Sequence, residues 1–256
     1  RVVQGRFWAG EYELRTKLGE GGQGIATATS DKTKIIKVYK QGPNADKESQ
    51  NEFTSQKNAH ERAPNLVAEP FSYSKITKDD KQNGFNLPLD VEGGYGILME
   101  KLLVNDGKIQ GKKYDPLGKD FEIVLRGEVR NSIKIWKLRQ GLETAGAAHN
   151  DIKRTNVGVD INGNLKAFDF GMAKQNNRKK DIVKIWEDLL LTVQRKLDDG
   201  FSIDTKAFEF DGLFYLPANV PRFLITLDNG DGDALSEDSI IKEVRKRIQV
   251  KELQNE

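Results

Sequence analysis

His149-Asn150-Asp151-Ile152-Lys153-Arg154-Thr155-Asn156, followed beyond the turn Asn162-Gly163-Asn164 by Ala167-Phe168-Asp169-Phe170-Gly171, is the stretch on which the fold is decided. Asp169 lies 18 residues after Asp151 and 13 after Asn156. Singly, a loop aspartate is most often a turn cap. The ordered set of two aspartates, a lysine and an asparagine is what carries chemical meaning.

Upstream, Tyr12–Leu18, Ile25–Thr29 and Lys34–Tyr39 alternate or are β-branched, and predict three antiparallel strands. The first two flank Gly19-Glu20-Gly21-Gly22-Gln23-Gly24, a G-x-G-x-x-G that is weak evidence alone. A dinucleotide turn needs a helix after the glycines; here a strand follows, which favours a cover over phosphates. Lys37 stands in Ile35-Ile36-Lys37-Val38, where an ammonium among apolar neighbours needs an anionic partner. Residues 44–60 predict one helix ending before Pro64. It offers Glu52, with Glu48 one turn earlier as the alternative, to pair with Lys37. Strands are expected again at 66–74 and 95–104, with a long exposed excursion over 75–94.

Downstream the chain becomes helical. Leu125, Val129, Ile133 and Trp136 form a stripe in a helix over 120–146. A second amphipathic helix runs from Asp181 to Leu197, with Ile182, Trp186, Leu189 and Val193 on one face, and Ser236 opens a last one.

The two blocks quoted first resemble the protein-kinase catalytic loop H-x-D-x-K-x-x-N and the metal-binding D-F-G. The resemblance covers about residues 12–197 and implies an α+β, bilobal protein-kinase-like fold. Its N-lobe, 1–102, holds a small antiparallel β-sheet plus one helix; its C-lobe, 103–256, is mainly helical. ATP and Mg²⁺ are the implied cofactors. By resemblance Asp151 orients the acceptor hydroxyl and takes its proton, and Lys153 stabilises the transferring phosphoryl group. Asn156 and Asp169 hold the metal, Gly19, Gly21 and Gly24 cover the phosphates, and Lys37 pairs with Glu52. Met99 becomes the gatekeeper, Glu100 and Leu102 the main-chain adenine contacts, and Leu18, Ala26 and Ile35 the roof of the adenine slot. Gly158, where the family has a bulky floor residue, leaves that slot looser. His149 supports the loop structurally, and Asp181 braces it from below.

Three departures bear on substrate and control. Asn150 replaces the usual arginine before the catalytic aspartate, so switching by loop phosphorylation is not expected. Activity is expected to be constitutive or dependent on an activating protein partner. No peptide-positioning segment separates Gly171 from the helix at Asp181, a compaction that resembles bacterial effector Ser/Thr kinases delivered into host cells, and also small-molecule kinases. The tail from Asp198 matches no known pattern. The expected acceptor is a protein, with host proteins among the substrates; a small-molecule kinase and a non-catalytic nucleotide-cleft binding module are the alternatives.

Composition sets outer limits. With 41 Lys and Arg against 39 Asp and Glu, the net charge of +2 carries no nucleic-acid signal. The absence of cysteine removes disulfides, thiolate nucleophiles and Cys-ligated zinc, and suits a cytoplasmic location, in the producing cell or in a host. No run of about 18 apolar residues marks a membrane span.

Overall fold

A computed structural model of the chain describes residues 2–20, 24–40, 42–79, 85–88, 94–104, 111–173, 178–204, 210–211, 214–215, 221, 223–224 and 235–251. They form a mixed α+β structure divided into two units. The first comprises Arg1–Leu103, Ala145–His149 and Gly158–Gln175; the second comprises Val104–Thr144, Asn150–Val157 and Asn176–Glu256.

The first unit is built on seven strands: β1 (Val2–Ala9), β2 (Tyr12–Glu20), β3 (Gly24–Thr29), β4 (Lys34–Tyr39), β5 (Pro70–Asp79), β6 (Phe85–Pro88) and β7 (Tyr95–Glu100). Their antiparallel order is β2-β3-β4-β7-β5-β1-β6, and β1 also pairs with β2, so six strands close into a barrel-like ring with β6 appended. Each strand of the ring sends residues inward. Phe7 and Ala9, Leu14, Ile25, Ile36 and Val38, Ile76 and Leu98 make one buried cluster. The period of two then turns Ile35, Lys37 and Tyr39 to the opposite face of β4.

The three strands expected over 12–39 are present, but two features differ from expectation. Residues 2–9 are a strand, and Gly10, at φ +59, allows the two-residue reversal that pairs Ala9 with Tyr12. The stretch 75–94 is not all excursion: β5 continues to Asp79 and β6 pairs along β1. A strand with one face outside the barrel tolerates the lysines that had read as loop.

Helix α1 (Ala45–Arg62) buries Ser49, Glu52, Gln56 and Ala59, a mainly polar face. It is therefore held less by apolar area than by specific bonds: Ser49 to the Tyr73 hydroxyl at 2.7 Å and Gln56 Nε2 to the Ala68 carbonyl at 3.0 Å. Beyond it, β8 (Val157–Val159), at whose first residue the boundary between units falls, makes a ribbon with β9 (Leu165–Ala167).

The second unit contains α2 (Lys119–Thr144), α3 (Arg178–Lys196) and α4 (Glu237–Arg245), with the ribbons β10 (Phe201–Ile203) with β13 (Ile248–Val250) and β11 (Phe210–Asp211) with β12 (Phe214–Tyr215). The stripe on α2 is confirmed at Leu125, Val129 and Trp136, whereas Ile133 is only half-buried and Ser132 takes the inner position. On α3 the stripe from Ile182 to Leu197 is buried throughout. Phe223, from the unmatched tail, meets the rings of Trp136 and Trp186 edge-on at 5.8 and 5.4 Å. Ser236 caps α4, its hydroxyl accepting from the Ser239 amide. Among the described residues no helix is long and apolar enough to cross a membrane.

Candidate active site

In the first unit the outward face of β4 presents Lys37 to α1. Its Nζ lies 2.8 and 2.9 Å from the two carboxylate oxygens of Glu52 and 3.3 Å from Asp169 Oδ1. Glu48, the other candidate, is exposed. Asp169 is delivered by backbone bonds: Ala167 N donates to the Leu66 carbonyl at 2.8 Å, and Ala68 N donates to the Ala167 carbonyl at 2.9 Å. Two residues on, Asp169 takes a left-handed backbone conformation, φ 65. Aspartate tolerates this conformation better than most non-glycine residues, at a cost of about 1 kcal/mol.

Glu52 is 1% exposed, and burial pushes its carboxyl up to about 7 against the pull of Lys37. Burial also works against the Lys37 ammonium, but Glu52 and Asp169 outweigh it and hold the pKa above the ordinary lysine value. Glu52 and Asp169 thus both face the one Lys37 ammonium.

The other residues expected around a nucleotide lie in this unit. Met99 is buried beside Tyr39 and Ile97, with Ile35, Phe53 and Phe168 against them. Ala26 lies directly across from Lys37 in the β3–β4 register, so it shares that face. Leu18, at a bulge in β2, is 51% exposed. Gly19 has open space around it, whereas a Cβ on Gly24 would meet the Val38 carbonyl oxygen at 2.5 Å. Gly24 is therefore a glycine for close strand approach as much as for any ligand. Gly21 lies outside the described residues.

At the end of β7 the Glu100 side chain is paired with Lys166 at 3.0 Å. Leu103 exchanges both backbone bonds with Val159 at 2.9 Å. Gly158 does not loosen this region. A Cβ there would meet Leu102 Cβ at 2.7 Å and the Leu103 carbonyl oxygen at 3.0 Å, so close approach of the Leu102–Leu103 segment fills the space a floor side chain needs. His149 is buried and structural: Nε2 donates to the Phe168 carbonyl at 2.7 Å, and its ring lies 4.4 Å from Phe170. His60, bonded through Nδ1 to the Val67 carbonyl at 3.1 Å, is likewise held at the core edge.

In the second unit the loop carries Asp151, Lys153 and Asn156. Asn156 Nδ2 donates to the Asp151 carbonyl at 2.9 Å and to Asp151 Oδ2 at 3.2 Å, which commits its NH₂ and directs its Oδ1 elsewhere. Lys153 Nζ lies 3.3 Å from Asp151 Oδ2, and Lys184 Nζ bonds Asp151 Oδ1. Burial opposes ionisation of Asp151, but Lys184 and Lys153 hold its pKa below the ordinary carboxylate value. Asn150 sits before it at φ 64, a conformation that asparagine tolerates better than most residues.

Beneath the loop, Asp181 Oδ1 accepts from the Ile152 amide and Asp188 Oδ2 from the Arg154 amide, each at 3.1 Å. The brace expected of Asp181 is present; Lys184 and Asp188 were not anticipated. Their spacing from Asp181, three and seven residues along one helix, places them on the same face and is the signal that could have found them.

Burial raises Asp181 to about 7, with Arg139 and the Ile152 amide acting against the shift. Its folded pKa lies above the unfolded value, so between about pH 4 and 7 the folded state holds the extra proton, and this group's contribution to stability falls as pH rises. Asp181→Asn keeps the Oδ1 acceptor and removes the charge. The variant is expected to gain on the order of 1 kcal/mol relative to the parent at pH 8, and nothing at pH 4. Denaturant unfolding at the two pH values measures this.

No family model matches the chain. A segment of 43 residues is 49% identical to Serine/threonine-protein kinase CHK1 of Saccharomyces cerevisiae. That segment covers 17% of this chain and 8% of the yeast protein. The similarity is local, and the chain spans less than a tenth of the yeast protein's length.

Proposed function

We propose that the chain is an ATP- and magnesium-dependent phosphotransferase with a bilobal protein-kinase-like fold, transferring the γ-phosphoryl group to a serine or threonine hydroxyl of a protein. The observation that carries the reading is the Lys37 ammonium held by buried Glu52 and reaching Asp169. An ammonium fixed in this way is poised to bind phosphate oxygens without having to be ordered first. The local likeness to a yeast Ser/Thr kinase supports the same class.

The residues suit the metal that the reaction needs. The Asp169 carboxylate and the Asn156 Oδ1 are hard oxygen donors, and magnesium would neutralise triphosphate charge. Asp151 would orient the acceptor hydroxyl and receive its proton, while Lys153 would balance charge on the transferring group.

A small-molecule acceptor is the second reading. What favours it is that α3 opens at Arg178, leaving only residues 172–177 after Gly171 and no length for a peptide platform. Mg·ATP at 100 times its Kd is expected to stabilise the protein by about 2.7 kcal/mol, and ATP without magnesium by much less. Thermal unfolding with and without chelator checks this; equal melting temperatures in all samples would remove the reading.

A further inference from the structure

We propose that Lys184 is a positioning residue for phosphoryl transfer, fixing the Asp151 carboxylate in the orientation that receives the acceptor proton; the proposal rests on the phosphotransferase reading. Three residues on one face of α3 each meet a different residue of the loop. Asp181 takes the Ile152 amide, Lys184 takes Asp151 Oδ1, and Asp188 takes the Arg154 amide. Two of these bonds fix the loop backbone, and the third fixes the reacting side chain.

The other carboxylate oxygen, Oδ2, is held by Asn156 Nδ2 and Lys153. Both of those groups have other work during transfer, at the metal and at the phosphoryl group. Lys184 has neither role, so its hold on Oδ1 can persist while they are engaged. Its backbone is firmly placed, because Ile182, Val183, Ile185 and Trp186 around it are buried and the Ile182 carbonyl accepts from Trp136 Nε1 at 3.3 Å. The Arg154 side chain continues the frame to Glu128 on α2, a pair in which both partners are largely buried. A carboxylate with one oxygen held from a rigid helix keeps one rotamer, and misplacement of a reacting group by about 1 Å costs roughly 10²-fold in rate.

The test compares wild type, Lys184→Met and Lys184→Arg. Met preserves length and apolar contact but not the charge; Arg preserves the charge. Lys184→Met is expected to lower kcat about 10²-fold with KM for ATP and Mg·ATP-dependent stabilisation unchanged, and Lys184→Arg to recover most of the loss. High-resolution crystal structures supply a readout independent of turnover: Asp151 in one conformer in wild type and Lys184→Arg, and in several or rotated away in Lys184→Met. An unaltered Asp151 conformer in Lys184→Met, or a kcat equal to or above wild type, would overturn the proposal. If wild type transfers no phosphoryl group, the phosphotransferase reading fails, and the crystal structures alone decide whether Lys184 orients Asp151.

Discussion

Lys37→Met is expected to lower phosphoryl transfer by about 10² to 10³-fold, the loss typical of removing one preorganised electrostatic group from a reaction centre. The substitution keeps most of the aliphatic length on the outer face of β4, so the barrel core of Ile36 and Val38 on the other face is untouched. What changes is charge. Glu52, already raised to about 7 by burial, loses the ammonium that pulled its pKa down and keeps Asp169 as a like-charged neighbour. Its carboxyl should then remain protonated to higher pH. Breaking a buried pair costs about 3 to 5 kcal/mol if the orphaned partner stays charged, but protonation offers Glu52 an escape. The melting temperature of Lys37→Met is accordingly expected to fall little at pH 6 and clearly at pH 8.5, where the parent's Glu52 is ionised and paired. An equal fall at both would show that Glu52 does not titrate as its burial requires.

Asp151→Ala is expected to cut kcat by about 10² to 10⁴-fold, the range for a positioned general base, with KM for ATP nearly unchanged. The side chain is engaged by Lys153, Lys184 and Asn156, and its loss leaves two ammoniums without that carboxylate. The backbone of the loop is still held by Asp181 and Asp188, so the fold should survive. Steady-state kinetics, with circular dichroism confirming the folded state, measures this. A variant that keeps more than a tenth of the wild-type kcat would assign the proton to another group.

Much of this arrangement is legible in the residues themselves, for physical reasons. An ammonium in an apolar strand demands an anion, so Lys37 points to a carboxylate on the following helix. Glu48 and Glu52 are one turn apart, and the sequence favours Glu52 only slightly; the buried face of α1 separates them. The strands over 12–39 follow from alternation, but β1 does not stand out because its reward is closure of the ring, a long-range pairing with β5 that no local pattern displays. The mid-strand Gly5 and the turn at Gly10 further mask it.

Gly158 is ambiguous in the sequence for a related reason. A missing side chain can mean empty space or close approach, and only the position of Leu102 and Leu103 distinguishes them. Lys184 looks like any solvated helix lysine until the loop is seen to rest on the Asp181 face. The tail could not be placed because Phe223 is defined by two tryptophans, Trp136 and Trp186, that lie far from it in sequence.

The most direct test is to incubate the folded protein, beside its folded Asp151→Ala variant, with γ-labelled ATP and a mixed eukaryotic protein extract, with magnesium and with magnesium chelated. Labelled protein bands that need magnesium and vanish in the variant are the expected result. Label that stays entirely in ATP with every protein acceptor would contradict protein phosphorylation, and label found instead on sugars, lipid headgroups or antibiotics would move the chain to the small-molecule kinases.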